Sequence, residues 1–138
     1  MRTLALDVGD KRIGVAVSDP LGIIATPLTA IERTSDGKAI EAILEIADEQ
    51  GAGEIVVGLP VSLSGRFSEQ TKSVAAFTRK LETRSPVPVK TADERYSTLE
   101  AERLLSQSKP KRARSRGEID AAAAAVILQS YLDVRTSG

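Results

Sequence analysis

Residues 3–17, TLALDVGDKRIGVAV, decide which fold the sequence predicts. Every second residue of the first half is apolar, and the same alternation resumes shortly after Gly9. A period of two on both sides of a glycine is typical of a β-hairpin. We therefore expect two antiparallel strands, with Asp7 close to the turn that joins them.

The segments that follow this hairpin predict alternating strands and helices. A third short strand is expected over residues 23–28, where Pro27 would close it. Asp36 is placed to cap a helix, and Gly51 would stop that helix just before a buried strand over residues 54–58. Three consecutive strands before the first helix favour an antiparallel meander.

The second half of the chain continues this order. Ser68 is expected to cap a second helix, and residues 87–91 to form a brief strand. Residues 97–100, STLE, match a capping box that would begin another helix, and residues 118–134 have the pattern of a last one. The sequence thus predicts one α/β domain over residues 1–138, with a mixed five-stranded sheet flanked by helices. Its two later strands would be parallel.

Composition excludes several classes of chemistry. The 138 residues contain no Cys and no His, so acid-base or metal chemistry must use carboxylates. The 19 basic and 19 acidic residues cancel, and aromatic residues make up 3% of the chain, which disfavours a protein that stacks single-stranded bases. Because no apolar run is long enough to span a bilayer, we expect a cytoplasmic protein with no membrane partner.

Asp120 has the strongest physical case for a functional role. The residues three, four and seven positions later are Ala123, Ala124 and Ile127, so the acid shares the apolar face of its helix. A buried carboxylate needs a cation or a strong donor nearby. A metal ion would meet that need, and an internal salt bridge would meet it equally well. The candidate salt-bridge partners are Lys11, Arg12, Arg95 and Arg116.

Asp7 and Glu94 are the other two candidate acids. Asp7 ends an otherwise apolar strand beside Gly9, and Glu94 directly follows a strand, where open α/β sheets bind ligands. Asp7 could instead hydrogen-bond its own turn, and Glu94 could belong to a solvated acidic loop. If the three acids converge, their hard oxygen atoms suit Mg²⁺ or Mn²⁺.

Four motifs in order resemble one family. They are residues 7–19, DVGDKRIGVAVSD; residues 56–60, VVGLP; residues 93–98, DERYST; and residues 119–133, which open with Ile119-Asp120. Together they cover nearly the whole chain and are similar to the YqgF (RuvX) proteins, which resemble RuvC-type resolvases. The first of these motifs alone would be weak, since sugar kinases and actin-like ATPases also begin with Asp-x-Gly.

This resemblance implies a ribonuclease H-like fold and a nuclease that matures the 5′ end of 16S ribosomal RNA precursors. Cleavage of Holliday junctions is the alternative activity. Asp7, Glu94 and Asp120 match the family's catalytic acids and would be the ligands of Mg²⁺ or Mn²⁺. One departure follows Pro60, where relatives carry an Asn and an Asp before a Gly and this chain has Ser62 and Ser64 before Gly65.

Basic residues flank the proposed acids and are candidates for holding nucleic-acid phosphates. Two precede the second strand, and most of the others form a run just before the helix of Asp120, although such a run is often only a solvated loop. Arg95 could contact substrate or merely tie down Glu94. The candidates are Lys11, Arg12, Arg95, Lys109, Lys111, Arg112, Arg114 and Arg116.

The mechanism expected from these residues is two-metal hydrolysis, with ions roughly 3.5 to 4 Å apart and a 5′ phosphate product. Two rivals are a non-catalytic nucleic-acid or ribosome-binding module and a phosphotransferase of the sugar kinase class, for which 138 residues leave little room. The sequence leaves open structured RNA or branched DNA as substrate, endonuclease or exonuclease action, and a monomer or a homodimer. Ribosomal precursor particles are the expected larger partner.

Overall fold

The computed structural model describes residues 1–60, 68–94 and 115–137, with backbone alone for residues 94, 136 and 137. The elements in chain order are β1 (Arg2–Val8), β2 (Arg12–Ser18), β3 (Ala25–Glu32), α1 (Asp36–Gln50), β4 (Ala52–Pro60), α2 (Glu69–Arg84), β5 (Val89–Glu94) and α3 (Arg116–Ser137). The helix expected to begin near Ser97 lies outside the described residues.

The five strands form one mixed sheet in the order β3-β2-β1-β4-β5. β1, β2 and β3 pair antiparallel, so the hairpin and the meander are confirmed. β4 runs parallel to β1, with Leu6 opposite Val57, and β5 runs parallel to β4, with Val57 opposite Thr91. The carboxyl ends of β1, β4 and β5 therefore meet at one edge of the sheet.

The two faces of the sheet pack against different helices. On one face Leu4, Leu6 and Val8 join the apolar residues of α1 and α2, such as Ile43 and Phe77, in the larger core cluster. On the other face, small residues let α3 approach closely. Alanines of β1, β2 and α3 meet there with two leucines of the helix: Ala5, Ala16, Ala124, Ala125, Leu128 and Leu132.

The helix ends follow local capping rules. Gly51 has a φ of 66° and ends α1 in the left-handed region that glycine tolerates, as expected. Ser68 caps α2, accepting a hydrogen bond from the Thr71 amide at 3.2 Å. The cap of α1 is Ser35 and not Asp36, which is the first helical residue, so that prediction was wrong by one position.

Strand β3 differs most from its prediction. It runs from Ala25 to Glu32 and continues past Pro27, which was expected to close it. Pro27 lies opposite Ala16 beside a shift in the β2–β3 register. An edge strand with such an irregularity accommodates a residue that has no N–H to donate, so proline does not end the strand. β5 also ends later than expected, at Glu94.

None of the described helices is both long enough and apolar enough to cross a membrane.

Candidate active site

Asp7 is the penultimate residue of β1 and lies opposite Gly14 of β2. Successive strand residues point to opposite faces, and Ala5 packs in the cluster formed with α3. Asp7 therefore belongs to the α3 face of the sheet, at the carboxyl end of the strand. The residue is partly exposed there.

Asp120 reaches the same place from α3. A Cβ added at Gly14 would lie 1.9 Å from the Asp120 carbonyl oxygen and 3.1 Å from the Ala121 nitrogen. The helix backbone thus rests directly on the β2 backbone at a position where only glycine fits. Because Gly14 is the cross-strand partner of Asp7, two acids that are 113 positions apart in the sequence become neighbours.

The partner of Asp120 is Arg12, the first residue of β2. Arg12 Nε donates to Asp120 Oδ2 at 2.6 Å, and each side chain is 25% exposed. The sequence left open a metal ion or an internal salt bridge as the means of stabilising the Asp120 carboxylate, and the structure contains the salt bridge. The contact sets a guanidinium directly beside the proposed metal ligands.

Glu94, the third proposed ligand, is the last residue of β5 and lies opposite Pro60. Its side chain is outside the described atoms. Four positions earlier, Lys90 Nζ lies 3.3 Å from Glu54 Oε1, and Glu54 also contacts Tyr131 of α3. Among the side chains that are described, no three acids are grouped closely enough to hold a metal ion.

The basic residues predicted to bind phosphate are only partly within the described chain. Lys11 is exposed in the β1–β2 turn next to Arg12, and Arg116 is exposed at the first turn of α3, four residues before Asp120. The structure thus brings Lys11 and Arg12 to the end of the sheet that carries Asp7. The other predicted basic residues lie outside the described residues, as do Ser62 and Ser64 of the loop that departs from the family: Arg95, Lys109, Lys111, Arg112 and Arg114.

Arg33 fixes the β1–β2 turn beside Asp7, a role that no sequence pattern predicted. Its Nη1 donates to the Gly9 carbonyl at 2.9 Å, while its Nε donates to Asp36 Oδ1 at 3.1 Å. Its guanidinium also lies 4.9 Å from the centre of the Phe77 ring. The hydrogen bond from Lys80, opposed by partial burial and aided by Arg33, holds the pKa of Asp36 below its usual value.

Glu54 is the second important residue that the sequence did not reveal. It is 1% exposed at the start of β4, and its carboxylate accepts from Thr3 Oγ1 at 2.9 Å, from Tyr131 Oη at 3.0 Å and from Arg135. Burial alone would raise the pKa of Glu54, but these hydrogen bonds and that from Lys90 outweigh it and lower the pKa. This network ties α3 to the sheet at the end opposite Asp7.

An open groove of 540 Å³ runs between β3 and the start of α3. Arg12 lines it, together with Glu32 across the strand pair and Glu118 on the helix. Its remaining lining is largely apolar or small, including Leu28 and Gly117. The groove therefore adjoins the Arg12–Asp120 pair and leaves the arginine room to move.

Comparison with known proteins places these features in a family context. The family model described as RuvX, Holliday junction resolvase, matches residues 1–134. A Desulforudis audaxviator protein, provisionally named pre-16S rRNA nuclease, is 48% identical over 138 residues, covering 100% of this chain and 98% of that protein. A Desulforamulus reducens protein with the same provisional name is 44% identical over 133 residues, covering 96% and 97% of the two chains.

Solved structures share the fold at low sequence identity. Thermus thermophilus RuvC superposes with a TM-score of 0.60 at 14% identity, covering 99% of this chain and 97% of RuvC. A fowlpox virus resolvase, solved with Holliday junction DNA, gives a TM-score of 0.59 at 10% identity, with coverages of 98% and 99%. These matches confirm the ribonuclease H-like fold class expected from the sequence.

Proposed function

The chain belongs to the RuvX family, and from this premise we propose that it is a divalent-metal-dependent nuclease that processes the 5′ end of pre-16S ribosomal RNA. The observation that carries the proposal is the contact between Gly14 and the Asp120 carbonyl, because it brings Asp120 beside Asp7. The provisional name of the relatives, which match over nearly their whole length, supports the RNA substrate.

The residues at this site suit a hard divalent cation. Asp7 and Asp120 are both partly exposed on the α3 face of the sheet and supply carboxylate oxygens. The chain has no His or Cys that would favour a softer metal. Glu94 ends β5 at the same edge of the sheet and would complete the set. Adjacent strands are about 4.8 Å apart, so β1 and β5, separated by β4, are about 10 Å apart. Carboxylates from that distance can approach one centre.

We assign the holding of Mg²⁺ or Mn²⁺ to Asp7, Glu94 and Asp120. Such ions, when bound, activate water and offset the charge of the phosphate. Asp7 is placed between the other two acids, since β1 is the central strand and β2 and β4 lie on either side of it. Hydrolysis would leave a 5′ phosphate and a free 3′ hydroxyl, and the chain needs no imidazole base for it.

Phosphates flanking the cut would contact the basic residues near this edge. Lys11 and Arg12 adjoin Asp7 and Asp120, and Arg116 lies one helical turn from Asp120. Arg95 and the run of Lys109, Lys111, Arg112 and Arg114 extend the set in the sequence. Backbone contacts of this kind give affinity without base specificity. Precursor ribosomal particles carry structured RNA, whose backbone phosphates would be the partners of these basic residues.

Cleavage of four-way DNA junctions is the second candidate function. It is favoured by the description of the matching family and by the fold shared with RuvC and the viral resolvase. Both candidates use the same acids and the same metal, so they differ only in the shape of the nucleic acid that is bound.

The test is a cleavage assay on a precursor 16S transcript and on a four-way DNA junction, with Mg²⁺ or with EDTA. Asp7→Asn and Asp120→Asn should each abolish cleavage, because the amide has lost the charge that holds the cation. Asp48→Asn, at an exposed position of α1, is the matched control and should cut normally. If cleavage survives both active-site substitutions, the mechanism is ruled out. If the wild type binds these substrates without cutting them, the result favours a non-catalytic module.

A further inference from the structure

We propose that Arg12 competes with the divalent cation for Asp120. In this view Arg12 holds the carboxylate while no ion is bound and gives it up when an ion binds. The inference rests on the proposed function, since it assumes that Asp120 is a metal ligand. It adds a role for Arg12 that is separate from phosphate contact, because the competition operates in the free protein without nucleic acid.

The geometry of the ion pair permits this exchange. One nitrogen of Arg12, Nε, contacts one oxygen of Asp120, Oδ2, at 2.6 Å. The Asp120 backbone is held close to β2, because its carbonyl rests against Gly14 and residues further along α3, among them Ala124 and Leu128, pack on β1 and β2. The carboxylate therefore stays near Asp7 whether or not the arginine is present, and a cation can replace the guanidinium without moving the helix.

Arg12 also has somewhere to go. The groove beside the pair is lined by Arg12 and by two acids, Glu32 and Glu118. Glu32 lies opposite Arg12 in the β2–β3 register. The Arg12 and Asp120 side chains are each 25% exposed, so solvent and ions can reach both. A guanidinium released from Asp120 would therefore remain next to Glu32, its exposed cross-strand neighbour, which lowers the cost of its displacement.

The sign of the effect separates competition from simple positioning. A guanidinium carries a positive charge, and this charge opposes the binding of a cation to the same carboxylate. If Arg12 competes, removing its charge must tighten metal binding. If Arg12 only orients Asp120, removing it must leave metal binding unchanged or weaken it.

The experiment measures Mn²⁺ binding to the intact chain without nucleic acid, by electron paramagnetic resonance of the free ion. Arg12→Gln keeps a donor for Asp120 but has no charge, and we expect it to bind Mn²⁺ roughly twofold to fivefold more tightly, as suits a partly exposed pair. Arg12→Lys keeps the charge and should resemble the wild type. Arg79→Gln removes an exposed charge from α2, on the other face of the sheet, and should change nothing.

Two outcomes would overturn the inference, and they are distinguishable. If Asp120→Asn loses Mn²⁺ binding but Arg12→Gln binds no better than the wild type, the metal site stands and the competition fails. If the wild type binds no Mn²⁺, or Asp120→Asn binds as well as the wild type, the metal site of the proposed function fails too. Circular dichroism checks that each variant is folded, and Arg12→Met replaces Arg12→Gln if the latter is not.

Discussion

At position 14 only a hydrogen atom fits between β2 and α3. The methyl group of Gly14→Ala would fall 1.9 Å from a backbone oxygen, and neither the sheet nor the helix can yield as a flexible side chain would. Overpacking of this kind costs about 1–3 kcal/mol of unfolding free energy. We expect Gly14→Ala to lose stability in urea unfolding and to weaken Mn²⁺ binding, because α3 must carry Asp120 away from Asp7.

Gly37→Ala is the control for this substitution. Nothing lies within 4 Å of a Cβ added at Gly37, and the residue is the second of α1. Alanine is favoured over glycine by about 0.5–1 kcal/mol in a helix interior and by less in the first turn, so this variant should keep or slightly gain stability and bind Mn²⁺ normally. A Gly14→Ala protein with full stability would show that the contact with Asp120 is not tight in solution.

The sequence predicted the orientation of some site residues but not their contacts. The apolar stripe after Asp120 predicted that this acid faces the core side of its helix, and the structure confirms that it packs against β2. The choice of Arg12 as its partner could not be read, because four cations were equally available along the sequence. The roles of Asp7, Glu94 and Asp120 as metal ligands remain predictions.

Arg33 contacts the β1–β2 turn, which follows Asp7, together with Asp36 of α1 and Phe77 of α2. Its contacts with Gly9 and Asp36 are partly buried, and the Arg33 side chain is 15% exposed. Arg33→Ala should free the Gly9 carbonyl and loosen the turn. We expect faster amide hydrogen exchange at residues 9–12 and slower cleavage.

Arg84→Ala is the matched control, since Arg84 is 47% exposed and its only described ion pair, with Glu41, is 3.8 Å long. It should leave exchange in the turn as it was. Equal exchange rates in the Arg33 and Arg84 variants would mean that the hairpin alone fixes the turn.

Glu54 governs how α3 is fastened at its far end. Its pKa is lowered in the folded protein, where hydrogen bonds from Thr3, Tyr131, Lys90 and Arg135 outweigh burial, so its charge stabilises the fold above the ordinary glutamate pKa of 4.5. That contribution is lost as the pH falls through the lower folded value. Glu54→Gln should therefore lower the free energy of unfolding by about 2–3 kcal/mol at pH 7. This loss is smaller than the roughly 3–5 kcal/mol for breaking a fully buried ion pair, because Lys90 and Arg135 are half exposed.

Urea unfolding at several pH values tests this assignment. The stability difference between wild type and Glu54→Gln should shrink below pH 4.5, whereas Glu49→Gln, exposed on α1, should show no large difference at any pH. A difference that stays constant down to low pH would mean that packing, and not charge, explains the loss.

Elements were easier to predict where local rules decide them. Gly51 and Ser68 act through their own backbone and side chain within one turn, and both caps were found as expected. β3 was misjudged because proline ends a central strand but not an edge strand, and edge position depends on the whole sheet. Glu54 was missed for a similar reason: its partner Tyr131 is 77 residues away.

On the scale of the whole molecule, charge balance shapes how a nucleic acid can bind. With 19 basic and 19 acidic residues, the chain has no net attraction for a polyanion, so affinity must come from local clusters. The densest cluster in the sequence comprises Lys109, Lys111, Arg112 and Arg114, just before the helix that carries Asp120.

Reversing the charges at Lys111, Arg112 and Arg114 tests that cluster. Each lost phosphate contact should reduce the slope of log affinity against log salt by about 0.7 to 0.9, so binding weakens most at low salt. Equal reversal at Lys38, Lys72 and Arg79, exposed on α1 and α2, keeps the same net charge and serves as the control. If both triple variants lose affinity equally, net charge alone drives binding. If only the first loses it, the basic run contacts the substrate.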